Sequence, residues 1–233
     1  MAAPRVASAS VSEFLHQFQR VDSYAEIDEV LRSRRCAQLP ARTAWYGWTS
    51  CVAAQSHHRH LWHLDTWWKA HPEHRARSGD IEFLRCAANE SLRLHQPVPA
   101  LLRVATRDIV LESSGRLFRT GERIALFFSH ANREPALFGE DVENFNPLRT
   151  TGRKPPPWGL SFGSGAHTCI GRALVTGLSQ RYDDAHPTLG TIVGVLHALY
   201  QAGVALDPAQ EPQRNTSSTH DAFASMPIVL HQL

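Results

Sequence analysis

The sequence contains no apolar run approaching the roughly 20 residues that a membrane-spanning helix needs. Its first residues, MAAPRVASASVSEFLHQF, lack the basic start and apolar stretch of a secretory leader. Charge of one sign is also missing. Lys plus Arg number 24 and Asp plus Glu 22, a net charge of +2, with no basic tail or stripe of the kind that grips nucleic acid. Cysteine is scarce: Cys36, Cys51, Cys86 and Cys169 are scattered, and none forms a CxxC pair. That spacing argues against a disulfide framework and against a zinc ribbon. These absences give the expectation of a cytoplasmic protein that engages neither membrane nor nucleic acid.

What is present is an ordinary globular composition, 42% hydrophobic over 233 residues, without internal repeats. Five of six tryptophans lie between residues 45 and 68, an aromatic face in the N-terminal half. Ser10 is placed to cap a helix running to Arg20. Ser23-Tyr24-Ala25-Glu26 reads as a capping box, with Ile27, Val30 and Leu31 on one face of a second helix. Helical spacing over residues 42–70 joins Trp45, Trp48, Val52, Leu61, Leu64 and Trp68, and His71-Pro72 ends that helix. Ile81, Leu84, Ala88 and Leu92 mark another. Leu101–Ala105, Ile109–Leu111 and Ile124–Phe128 then read as short strands, with a turn at Ser113-Ser114-Gly115. Residues 132–168 are loop-like, and a long loop inside a compact domain is usually functional. A helix restarts near Cys169, another spans Thr191–Tyr200, and Pro227–Leu230 is a last strand. Residues 207–222 are polar and expected at the surface.

The chemistry concentrates in Phe162-Gly163-Ser164-Gly165-Ala166-His167-Thr168-Cys169-Ile170-Gly171-Arg172. This is a glycine-rich turn leading into a helix, with a cysteine at the junction. The glycines permit backbone shapes closed to other residues and let a flat partner approach closely. Backbone N–H groups at a helix start favour an anionic sulfur, and a thiolate is a competent iron ligand.

The segment resembles the heme-binding signature of the cytochrome P450 superfamily, F-x-x-G-x-x-x-C-x-G, at every fixed position. His167 two residues before the cysteine fits the common bacterial form. Upstream, Glu90-Ser91-Leu92-Arg93 fits the family's E-x-x-R, and residues i and i+3 share a helix face. Asn144-Phe145-Asn146-Pro147-Leu148-Arg149 resembles the segment that adds a second arginine. Gln96–Arg103 and Ala131–Pro135 also follow family patterns, and the resemblance extends over about residues 81–178 and the last strand. It implies heme b (iron protoporphyrin IX) with Cys169 as the axial iron ligand. Phe162, Gly163, Gly171, Arg103 and His167 would be heme contacts, the last two at the propionates. Glu90, Arg93 and Arg149 would form a buried structural triad. The implied fold is mainly α with small β-sheets, like the C-terminal part of a cytochrome P450. It would be a single domain with a reduced region 1–72, a heme-binding core 81–178 and a C-terminal part 179–233.

The family pattern is departed from upstream. Only 89 residues precede Glu90, so the distal lid helices are expected to be reduced. Residues 42–70 would be the central helix that crosses the heme. Its usual acid and threonine are replaced near Ala53-Ala54-Gln55-Ser56-His57. Ser56 and His57 are the candidate distal catalytic groups, histidine being suited to proton transfer near neutral pH. Among His57, His58, His60 and His63, the pairs His57/His60 and His60/His63 share a helix face, and a solvated face or an interface is favoured there over a second metal site. The leading expectation is a compact heme-thiolate monooxygenase or peroxygenase. It would oxidise a small organic molecule, in specialised metabolism, with ferredoxin or peroxide as electron or oxidant source. The rivals are a heme-dependent non-oxidative catalyst and a non-catalytic heme sensor or accessory protein. A homodimer is expected to cover the distal heme face, using Trp45, Trp48, Trp62, Trp67 and Trp68.

Overall fold

The computed structural model describes residues 19–33, 36–38, 52–151, 155–177, 189–216 and 222–231. Strand β1 (Gln19–Val21) leads into helix α1 (Tyr24–Arg32) and strand β2 (Cys36–Gln38). The capping box forms: Ser23 Oγ accepts the Glu26 backbone N–H at 3.3 Å. Gln19 and Arg20 were expected to end a helix. They are instead strand, because β1 pairs in parallel with a later strand, β6 (Arg123–Phe127), and Val21 is fully buried. The remainder of that expected helix lies outside the described residues.

Helix α2 (Val52–Ala70) forms within the stretch 42–70 expected to be helical, and residues 42–51, with Trp45 and Trp48, lie outside the described residues. It stops where Pro72 opens a 3-10 helix, Pro72–Gly79, that hydropathy spacing did not disclose. Helix α3 (Ile81–Leu94) follows, with Asp80 Oδ1 accepting the N–H groups of Glu82 and Phe83.

Strand β3 (Ala100–Ala105) pairs antiparallel with β6 and β2, completing a four-stranded sheet in the order β1-β6-β3-β2. β4 (Ile109–Val110) and β5 (Leu117–Phe118) make a hairpin around the expected 113–115 turn. A short helix α4 (Phe128–Ala131) takes Phe128 from the expected strand end, α5 (Pro135–Phe138) interrupts the loop-like stretch, and α6 (Arg172–Thr176) follows Cys169. Helix α7 (Thr191–Gln201) leads to β7 (Val204–Leu206). β8 (Gln213–Arg214) pairs with β9 (Phe223–Ser225), and β10 (Ile228–Leu230) returns to β7. Within the stretch 207–222 expected at the surface, β8 is exposed as expected, while Ala222 beside β9 is buried.

Two apolar clusters hold these elements. One joins α1 to the sheet through Ile27, Val30, Leu31, Ile124 and Leu126. The other joins α2, α3 and α7 through Leu64, Trp68, Phe83, Leu84, Ile192 and Leu196.

Trp68 is buried, Trp62 tilts onto Phe223 at 5.6 Å, and Trp67 stacks on His71 at 3.8 Å. Of these three rings, expected at a dimer surface, Trp68 lies in the core, while Trp62 and Trp67 are half-buried against ring partners of the same chain. Asp80→Ala removes the cap that starts α3. It should lower unfolding stability by about 1 kcal/mol in denaturant titration.

Candidate functional site

The deepest feature is a charged one. Arg93 is 0% exposed and Glu90 4%. Arg93 Nε and Nη2 donate to the two Glu90 carboxylate oxygens, each at 2.8 Å. Arg149 Nε donates to Glu90 Oε1 at 3.0 Å, and the Asn146 backbone N–H reaches the same oxygen at 3.2 Å. Arg93 also donates to the carbonyls of Asn132 and Val142. The structure thus brings the three triad residues together, each charge opposed and hydrogen-bonded. Burial works against the Arg149 charge. Its bonds to Asp141 and Glu90 outweigh burial and hold its pKa above the ordinary arginine value. The same bond to Arg149 holds the Asp141 carboxyl below its ordinary range.

Asn132, fully buried, carries this network to the cysteine loop. Its Nδ2 donates to the Arg93 carbonyl, and its Oδ1 accepts the Leu160 N–H at 2.7 Å. Leu160 belongs to the sheet cluster and Phe162 to the helix cluster, so alternate residues root the loop in both cores. Between them Ser161 donates its hydroxyl to the Leu92 carbonyl. Asn132 was legible only as part of a family-like stretch, and nothing in the sequence disclosed that it links the two features.

Above this root the loop turns back. The Cys169 N–H donates to the Phe162 carbonyl at 2.8 Å, and the Thr168 N–H to Gly165. Gly163 and Gly165 adopt positive φ, 68° and 70°. At Gly165 a Cβ would lie 2.7 Å from the Leu31 carbonyl oxygen, so only glycine lets the turn sit against α1. Ser164 clips the loop to α1 through a hydrogen bond to Asp28. α1 is itself braced by Glu29, which accepts the Glu112 N–H at 2.8 Å.

The result is a cysteine held at an exposed position, with Ile170 fully exposed and Leu174 69% exposed beside it. Gly171 lies beside the sulfur: a Cβ there would make an ordinary van der Waals contact, 3.7 Å, with Cys169 Sγ. A thiol flanked by bare apolar side chains suits a flat apolar group carrying a metal, so the donor set fits heme. His167 stands exposed on the same turn. Arg103 is 4% exposed within the sheet and donates to the Leu102 carbonyl, so its propionate role rests on resemblance. Ser56 and His57 lie on α2, which packs on α3, α7, β7 and β9, whereas the turn Gly165–His167 packs on α1. The Ser56 side chain lies outside the described part. Neighbouring His58 has its pKa lowered by burial and by His57, against a raising hydrogen bond to the Phe223 backbone. Among the described residues no cluster of three or more His, Cys, Asp or Glu could hold a metal ion. No helix there is long and apolar enough to cross a membrane.

An exposed cysteine on a glycine-rich loop, tied to a buried Glu–Arg–Arg lock, has the residue types of a heme-thiolate site. Residues 69–176 match the cytochrome P450 family model. The chain is cytochrome P450-like, and its fold is part of the P450 fold, the family whose cofactor is heme b. It is 31% identical over 151 residues to cytochrome P450 CYP199A2 of Rhodopseudomonas palustris, covering 65% of this chain and 32% of that protein. Steroid C26-monooxygenase of Mycolicibacterium smegmatis is 37% identical over 95 residues, 41% of this chain and 22% of that one. Substrate-free CYP109E1 from Bacillus megaterium superposes with a TM-score of 0.57 at 20% identity, covering 78% of this chain and 42% of that structure. HmtT, involved in himastatin biosynthesis, gives 0.55 at 22% identity, over 75% and 38%. The chain spans about a third of the length of the first of these curated relatives.

Glu90→Ala strands the fully buried Arg93 guanidinium. It should cost about 3–5 kcal/mol in urea unfolding. Glu143→Ala, which removes an exposed partner of Arg133, should cost less than about 1 kcal/mol.

Proposed function

We propose that this chain holds heme b through the Cys169 thiolate and oxidises a small organic molecule bound over it. One observation carries this reading: Cys169 is presented outward on a loop rooted in both apolar cores and tied to the Glu90 network through Asn132. When bound, the heme supplies the iron at which an oxidant is activated. The protein's part is positional. Cys169 ligates, Phe162 supports the loop from below, and Gly163 and Gly171 keep the backbone close and the sulfur clear. Arg103 and His167 hold the propionates, guanidinium geometry being matched to carboxylates. Glu90, Arg93 and Arg149 keep the scaffold from yielding. Ser56 and His57 are the groups on α2 that would supply protons to the reaction. Ferredoxin or peroxide provides electrons or oxidant, and a second copy of the chain covers the distal face. A role in specialised metabolism is supported by similarity to HmtT, a protein of himastatin biosynthesis.

A second reading is favoured by the central helix. Gln55 and Ser56 stand where the family carries an acid and a threonine, which suits a heme-dependent rearrangement or dehydration without net oxidation. Turnover without any added oxidant distinguishes it. A heme-bound chain that turns over nothing supports the sensor or accessory role.

The test is a spectrum. Heme-reconstituted, reduced protein under carbon monoxide should show the strongly red-shifted Soret band of thiolate ligation, and Cys169→Ala should lose it. A histidine-like carbonyl spectrum in the wild type, or no heme uptake, overturns the reading.

A further inference from the structure

We propose that His63 and His95 form an acid-sensitive latch that seats the central helix α2 on the Glu90 lock. The idea is independent of heme binding. His63 is 7% exposed, and its one ring touches three parts of the chain. Its Nδ1 lies 2.9 Å from Ser91 Oγ on α3, next to Glu90. Its face stacks on Phe145 at 4.7 Å and 19°. Its third neighbour is the His95 ring, 4.9 Å away at the end of α3. Phe145 immediately precedes Asn146, whose N–H binds Glu90, and the same segment supplies Arg149. One turn earlier on α2, His60 Nε2 lies 3.2 Å from the Ala88 carbonyl oxygen. Beside the apolar contacts of Leu61, Leu64 and Trp68, the helix is therefore seated on the lock by two imidazoles.

The surroundings accept a neutral ring and resist a charged one. Arg59 and His60 act on His63 from its own helix, His95 from α3 and Arg214 from β8. Phe145 and Ser91 contribute no charge. Glu90, the nearest acid in sequence to Ser91, is already engaged by Arg93, Arg149 and the Asn146 N–H. Burial first, and then His95, His60, Arg59 and Arg214, push the His63 pKa well below its ordinary value. The stabilisation from the neutral ring is complete above the unfolded histidine pKa of about 6.5. Below that pH the unfolded segment takes up a proton that the seated one refuses. The seam weakens by up to about tenfold in its opening equilibrium per pH unit until the folded pKa is reached. Opening frees α2 from α3 while leaving the β1-β6-β3-β2 sheet, which contains none of these groups, in place.

Hydrogen-exchange protection factors of the whole chain, at about pH 8 and about pH 5.5, test this. Acid should remove protection from residues 62–68 and 87–94 before it affects β3 and β6. His63→Gln retains a hydrogen-bonding group toward Ser91 but takes up no proton. It should keep its protection in acid, and the exposed-histidine control His130→Gln should behave as wild type. If His63→Gln does not fold, His95→Gln serves instead. It removes the leading positive neighbour, so acid opening of the seam should be weaker. Protection unchanged by acid, a uniform loss over the chain, or an acid loss in both His63→Gln and His95→Gln equal to wild type overturns the latch.

Discussion

The buried ion network of Glu90, Arg93 and Arg149 is the constraint on which the other features rest. Charges removed from water are tolerated only when opposed and fully hydrogen-bonded. Satisfying them here draws in the carbonyls of Asn132, Val142, Phe138 and Asn144 as well as the Asn146 N–H. The irregular segment 132–149 has little regular secondary structure of its own. Its path is dictated largely by where its polar groups must go.

That path decides where the cysteine stands. Asn132 joins the Arg93 carbonyl to the Leu160 N–H, and from there Leu160 and Phe162 enter opposite cores. Two positive-φ glycines then fold the loop back against α1. The thiol is thus exposed on a firmly anchored loop, as the proposed iron ligation requires. The same network extends toward α2 through Phe145 and His63. Scaffold, ligand loop and central helix thus meet at one set of buried polar contacts.

Local signals were legible in sequence where a side chain acts on its own neighbourhood. Ser23 and Glu26 announced a capping box, Pro72 ended a helix, and Ser113–Gly115 made a turn. They failed where partners lie far apart in sequence. Gln19 and Arg20 looked like a helix end, but pairing of Gln19–Val21 with Ile124–Leu126 makes them strand. Trp62, Trp67 and Trp68 read as a surface for a second chain, but each finds a ring partner or a core within this one.

The sequence by itself determined the chemistry of the ligand loop and of the E-x-x-R pair, because those depend on residue type at fixed short spacing. It determined the main helices and the mixed character of the fold, because apolar periodicity is local. The closing of Arg149 on Glu90 was implied by resemblance and is seen in the fold across 59 positions, but only the tertiary structure decided that Asn132 carries the lock to the loop. Only the tertiary structure buried Arg103 in a sheet and set His63 against His95 and Phe145. Burial and long-range hydrogen bonding arise from packing between distant segments, and no short window of residues contains them.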